Sequence, residues 1–257
     1  MTMRRAVGIS AFVLAALVLM AALAVDAVAR SALEEELART FGTGASVASV
    51  DVGLFSGEVT AEGSVVSNPG GFESPHFAAL ARARASAGLI DLLGDTVTVR
   101  RVDLEGLELY LERRGAETNF GPILRSLRAR REAGGSGDKL YRIEELVLTG
   151  AVARVRMGAG GEGETVEVPE IRLTDLGSAG ALPMGQVAGA VIRAALRAAL
   201  LERSGGLPGA LGGLLRGELG GLGDLPGRLE LPATDDGGGA SGRVRDALEE
   251  VLPGGGG

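Results

Sequence analysis

Apolar and polar positions alternate along this chain of 257 residues in three successive regimes. From Ala6 to Val25, twenty consecutive positions carry no charge. As a helix rising ~1.5 Å per residue they reach ~30 Å, the thickness of a bilayer's hydrocarbon core. From Arg30 to Thr40 the pattern is helical, with Leu33, Leu37 and Phe41 at steps of four, which predicts a stalk helix ended by Gly42 and Gly44. The period then falls to that of strands.

The strand region repeats one figure. Apolar residues stand at i, i+3 and i+5 in Val47, Val50, Val52, in Val99, Val102, Leu104, in Ile143, Leu146, Leu148, and in Val168, Ile171, Leu173. A strand alternates with period two, so the step of three is a phase slip, and Arg100–Arg101 or Glu144–Glu145 share one place in the pleat as in a β-bulge. Gly106 and Gly150 close the second and third copies at the same offset of 44, and both lead into alternating strands, Leu107, Leu109, Leu111 and Ala151, Ala153, Val155. The pattern predicts a repeated bulged hairpin.

Between these copies, Arg82 to Leu89 alternates Ala83, Ala85, Ala87 and Leu89 with polar or small residues, giving a face of small apolar side chains. If that face stays open it suits acyl chains, which need apolar contact and few directional bonds; a helix packed tightly over it would use alanines as well. Pro183 to Glu202 reads as an amphipathic helix with Arg193 and Arg197 on a polar stripe turned away from Met184, Val187, Val191 and Ala195. Two arginines near its centre argue against a second membrane span. From Gly205 the chain is glycine-rich with isolated leucines, a composition that predicts a mostly disordered tail.

Charge narrows the function. The 26 Lys+Arg against 33 Asp+Glu give −7, and with 3% aromatic residues this argues against a nucleic-acid binder. Zero cysteines and the single His76 remove thiolate chemistry and two-histidine metal sites. His76 reads as a turn or partly buried histidine, and Ser67 and Ser74 near it lack a nucleophile-elbow motif. Gly160–Gly163 has no Lys-Ser/Thr after it and reads as a hairpin loop. Arg125, Arg128, Arg130 and Arg131 form a basic helix end whose default is a solvated face. No cofactor is expected. Arg4 and Arg5 before the apolar segment, and Asp26 with Glu34, Glu35 and Glu36 after it, favour a cytoplasmic N-terminus. Ala27-Val28-Ala29 also has the small-x-small form of a signal-peptidase site, so the segment reads either as a retained anchor or as a cleaved leader.

Asn68-Pro69-Gly70-Gly71-Phe72 is followed by Pro75-His76-Phe77, by the Leu89 to Leu93 run, by the Val99 strand, and by Asn119-Phe120 ahead of a helix. This order, over roughly Met1 to Glu202, resembles the N-terminal module of the AsmA family of single-anchor envelope proteins. Ala116 stands where that family's turn has glycine, and Phe120 where tryptophan is usual. The resemblance implies turn motifs at Asn68, Pro69, Gly71, Phe72, Asn119 and Phe120. It also implies a bacterial inner-membrane location with most of the chain periplasmic, and a hydrophobic groove related to bridge-like lipid-transfer proteins.

The expected fold is therefore α+β. A transmembrane anchor (1–29) leads to a twisted, mainly antiparallel half-groove with bulged hairpins and one or two amphipathic helices (30–204), and then to a low-complexity tail (205–257). The expected groove lining is Ala83, Ala85, Ala87, Leu89, Val99, Leu107, Leu109 and Leu111. The expected role is non-catalytic phospholipid binding or transfer in outer-membrane biogenesis; the alternative is an envelope scaffold whose groove is filled by its own helix. Phospholipid and other envelope proteins are the expected partners, besides the membrane itself. Seven to nine strands at ~4.8 Å spacing are too few to bridge a periplasm.

Overall fold

The computed structural model describes residues 25–53, 56–87, 94–133, 139–157, 164–202 and 227–231. The stalk is a helix over residues 25–41 (α1). It ends because Gly42 takes φ +68° and donates its N–H to the Ala38 carbonyl at 2.9 Å, a left-handed cap that costs glycine little. The apolar segment 6–25 lies outside the described residues except for Val25. Among the described residues no helix is long and apolar enough to cross a membrane.

One mixed, mostly antiparallel, open sheet carries the fold. The chain lays down β1 (Ala45–Gly53), β2 (Glu58–Val66), β3 (Ala78–Ala87), β4 (Thr96–Arg114) and β5 (Glu117–Thr118), then α2 (Phe120–Ala133). It continues with β6 (Leu140–Thr149), β7 (Ala151–Met157), β8 (Glu164–Val168), β9 (Ile171–Leu176) and β10 (Leu182–Pro183), then α3 (Met184–Glu202) and β11 (Arg228–Glu230). The strand order is β1-β2-β3-β4-β6-β9-β11, with β7 prolonging β6 beside β4, and β8 prolonging β9 beside β7.

The repeat at offset 44 has a different meaning from the expected hairpins. Gly106 does not turn the chain back; it sits inside the nineteen-residue β4. Gly150 likewise joins β6 to β7. The two long strands run parallel, and every paired residue of β4 faces the one 44 positions on, from Thr96 beside Leu140 to Arg113 beside Met157. The sequence offset is thus the pairing register of two neighbours linked through β5 and α2. A parallel pair needs such a crossover, which the span between Arg114 and Leu140 supplies.

The phase slips are also mostly not bulges. Ala48, Gly63, Ala81, Gly106, Gly150 and Pro169 stand opposite one another in a line across the sheet, and the register is the same on both sides of it. Neighbouring strands slip together, so each keeps its apolar set on one face without losing ladder partners. Gly63, Gly106 and Gly150 have φ near +60°. A Cβ on Gly63 would come within 2.9 Å of the Ala48 Cβ, and one on Gly106 within 3.0 Å of the Ala81 Cβ, so small residues are required where the crease crosses β1 to β4. A second crease crosses Arg100, Glu144 and Asp175, the last at φ 59°. Only at its β3–β4 seam does the register shift, between Ser86 and Ala87, where Arg100 is the extra residue of a true bulge.

Because of the paired slips, β4 keeps Val97, Val99, Leu104, Leu107, Leu109 and Leu111 buried on one face over its whole length. The opposite face is charged. Arg82 pairs with Glu62 (2.9 Å), Arg84 with Glu58 (3.2 Å), Arg101 with Glu145 (2.6 Å) and Arg154 with Glu108 (3.3 Å), and Arg172 with Glu145. Such exposed pairs add little to stability, being screened by solvent, and chiefly keep this face in water.

The three helices among the described residues pack on the apolar face. Ala29, Leu33 and Leu37 of α1 cover a small cluster of Val47, Val50 and Ala61. α2 and α3 cover the larger core through Phe120, Ile123, Leu124, Leu196 and a run of buried alanines. α3 differs from the expected amphipathic helix in one respect: Arg193 is 5% exposed and donates Nε–H to the Gly189 carbonyl at 3.1 Å, so its stripe is turned inward. The basic end of α2 is not simply solvated either, since Arg130 pairs with Glu36 of α1 at 3.3 Å. The tail also contributes to the fold. β11 pairs with β9, Leu229 beside Leu173, and both Leu229 and Leu231 pack against the core. A strand edge supplies the partners that isolated leucines lack.

Candidate functional site

The expected groove residues fall into two environments. Ala87, Val99, Leu107, Leu109 and Leu111 are buried within the core that α2 and α3 cover, Leu109 to 1% exposure and Leu111 to 2%. Ala83 and Ala85 are half-buried. Leu89 lies outside the described residues.

The half-open part of the face has a definite shape. Val52, Val59, Ala85 and Val102 are paired in sequence across β1, β2, β3 and β4 at one level, and all four are half-buried. Three strand spacings of about 4.8 Å make this strip about 14 Å long. It lies at the end of the sheet where α1 begins, since Asp26 Oδ1 accepts from the Val52 N–H at 2.9 Å. Farther along α1, Glu34 Oε1 accepts from the Val47 N–H at 2.9 Å, and that bond holds the Glu34 carboxyl below its ordinary value. Val25 and Val28, at the start of α1, are exposed.

At the other end of β4, the turn motifs converge. Asn119 Nδ2 donates to Asn68 Oδ1 at 2.9 Å across 51 residues and to the Tyr110 carbonyl at 2.7 Å, while its Oδ1 accepts from the Glu112 N–H at 2.8 Å. Asn68 Nδ2 donates to the Ser74 carbonyl at 3.1 Å. Pro69 and Phe72 are half-buried, Gly71 takes φ +95° and its carbonyl accepts from Arg114 at 2.7 Å, and Phe120 is fully buried in the core. The glycine displaced by one place in the second motif works because Gly115, not Ala116, has the positive φ (+62°) in the two-residue turn between Arg114 and Glu117.

Glu112 is the residue that reading the sequence did not single out. It is 3% exposed and accepts from the Glu73 N–H (2.9 Å), the Ser74 N–H (2.8 Å) and the Ser74 hydroxyl (2.7 Å). Burial alone would raise its pKa; the bonds from Glu73 and Ser74 outweigh burial and hold it below the ordinary carboxylate value. Ser74 is therefore a clamp donor. A glutamate ending a strand beside a glycine-rich turn with free amides was the only signal, and a weak one. His76 is half-buried with its ring edge-on to Tyr110, centroids 4.5 Å apart. The Tyr110 hydroxyl donates to Glu108 at 3.1 Å; burial and this bond raise the phenol's pKa. Arg154 lowers that of Glu108. Among the described residues no group of three or more His, Asp or Glu side chains converges as a metal site.

No family model, no curated protein and no solved structure matches this chain.

Proposed function

We propose that this protein is a single-pass, membrane-anchored envelope protein of AsmA-like character, non-catalytic, that contacts phospholipid and helps its transfer beside the bilayer. One observation carries the reading: the half-open apolar strip of Val52, Val59, Ala85 and Val102 lies at the end of the sheet where α1 begins, directly after twenty uncharged residues. Small side chains over a sheet leave room for an acyl chain, and apolar contact without directional bonds is what such a chain requires. The turn clamp of Asn68, Asn119, Glu112 and Ser74 is architectural. It holds the far end of β4 and the start of α2 in place.

The resemblance to the AsmA family supports an inner-membrane location with the sheet on the periplasmic side. The strip accommodates part of one lipid rather than a continuous file, so the protein acts near the membrane rather than as a bridge.

A second reading, an envelope scaffold that binds no lipid, draws on the sealing of Val99, Leu107, Leu109 and Leu111 by α2 and α3. Native mass spectrometry of the full chain released from mild detergent separates the two. The lipid reading expects a co-purifying phospholipid that is lost from a folded Ala85→Trp variant. A wild-type chain that carries no lipid, or an Ala85→Trp chain that keeps it, favours the scaffold.

A further inference from the structure

The two long edges of the sheet are treated differently. On β1, the backbone amides of Val47 and Val52 are occupied by the carboxylates of Glu34 and Asp26, so α1 blocks that edge. Native proteins guard edges in such ways because a free row of amides and carbonyls templates another strand. On the opposite side, β11 covers β9 only from Arg172 to Thr174. Beyond it, β8 pairs with β7 alone among the described residues.

The chain's own continuation is a poor occupant for that stretch. Carrying the β11 register onward would bring Pro232, which has no N–H, beside Glu170, and would set Asp235 against Glu167. A second copy is no better, because pairing β8 with itself brings two acidic edges together on chains of net charge −7. Glu167 is exposed and forms no ion pair among the described residues, whereas Glu170 pairs with Arg172 at 3.3 Å. Val166 and Val168, on the other face of the same strand, are buried in the core.

We propose that the outer edge of β8, Thr165 to Val168, is a strand-addition site for an extended segment of another protein that alternates apolar and basic side chains. Its backbone pairs with β8, its apolar side chains continue the face of Val166 and Val168, and a basic side chain faces Glu167. Backbone pairing supplies the affinity and the charge supplies the choice of partner. The inference stands apart from lipid binding, and neither result decides the other.

The test uses the full chain in non-ionic detergent and a fluorescein-labelled hexapeptide of alternating lysine and valine, read by anisotropy against empty micelles. Binding about tenfold tighter than that of the matching glutamate–valine peptide, abolished by N-methylation of alternate peptide amides, is expected. Glu167→Lys should invert the preference and Glu167→Gln should erase it, with circular dichroism unchanged in both. Equal binding of the two peptides, binding that survives N-methylation, or a preference unaffected by either Glu167 variant overturns the proposal.

Discussion

The two halves of the sheet share one apolar face and one crease, yet they are covered to different depths. Under α2 and α3, the strands β4 and β6 to β9 carry a second crease and, apart from Val102 at the margin of the open strip, bury most of their large apolar side chains to below a tenth exposure. Under α1, β1 and β2 bury Val47, Val50 and Ala61 in a separate small cluster, β2 and β3 add only Val66, Ala78 and Ala87 to the larger core, and Val52, Val59 and Ala85 stay half-open. The sheet pattern therefore does not decide whether a face becomes core or binding surface. The number and bulk of the helices above it do.

The contrast predicts unequal costs. Leu109→Ala in the sealed half should destabilise by about 2–5 kcal/mol, and Val59→Ala in the open half by less than about 1 kcal/mol, both measured by urea denaturation of the detergent-solubilised chain. Similar losses at the two sites would mean that the halves are equally packed.

Glu112→Gln is the next largest effect, about 1.5–3 kcal/mol, because the buried amides of the 73–74 turn lose a charged acceptor. Acid should reproduce it. The folded pKa of Glu112 is lowered, so its stabilisation is full above the unfolded carboxylate value of about 4.3 and is lost as pH falls through the lower folded value. The variant should show a shallower loss of stability below about pH 4.3 than the wild type, and identical slopes would remove the clamp from the account.

Gly106→Ala should cost about 1–3 kcal/mol, since it adds a Cβ 3.0 Å from that of Ala81 to a positive φ. Gly115→Ala, with the same φ sign and nothing within 4 Å, should cost about 1 kcal/mol. The gap between the two isolates the contribution of close packing along the crease.

Much of this arrangement was legible in the sequence, though its meaning was not always. The steps of three at Val99–Val102 and Ile143–Leu146 marked real slips, and the offset of 44 between Gly106 and Gly150 marked a real correspondence. Alternation alone does not say which strand lies beside which, so an offset between parallel neighbours was read as a repeated hairpin. The turn residues Asn68 and Asn119 could be picked out through the resemblance of their turn motifs, and at Asn68 the Asn-Pro and Gly-Gly pairs also punctuate the chain for local reasons. Glu112 could not, because its burial depends on a turn almost forty residues earlier in the chain. β11 was hidden for a similar reason: Leu229 is an isolated leucine in a glycine-rich stretch until β9 pairs with it. The inward turn of Arg193 follows from α3 being enclosed on nearly all sides, a property of its neighbours rather than of its own periodicity.

The most direct measurement is lipid photolabelling in native membranes, with photo-leucine placed at position 102 on the open strip and at position 109 in the sealed core. Phospholipid adducts at 102 and none at 109 are the predicted result. Absence of adducts at 102, or equal labelling at both positions, would contradict the account.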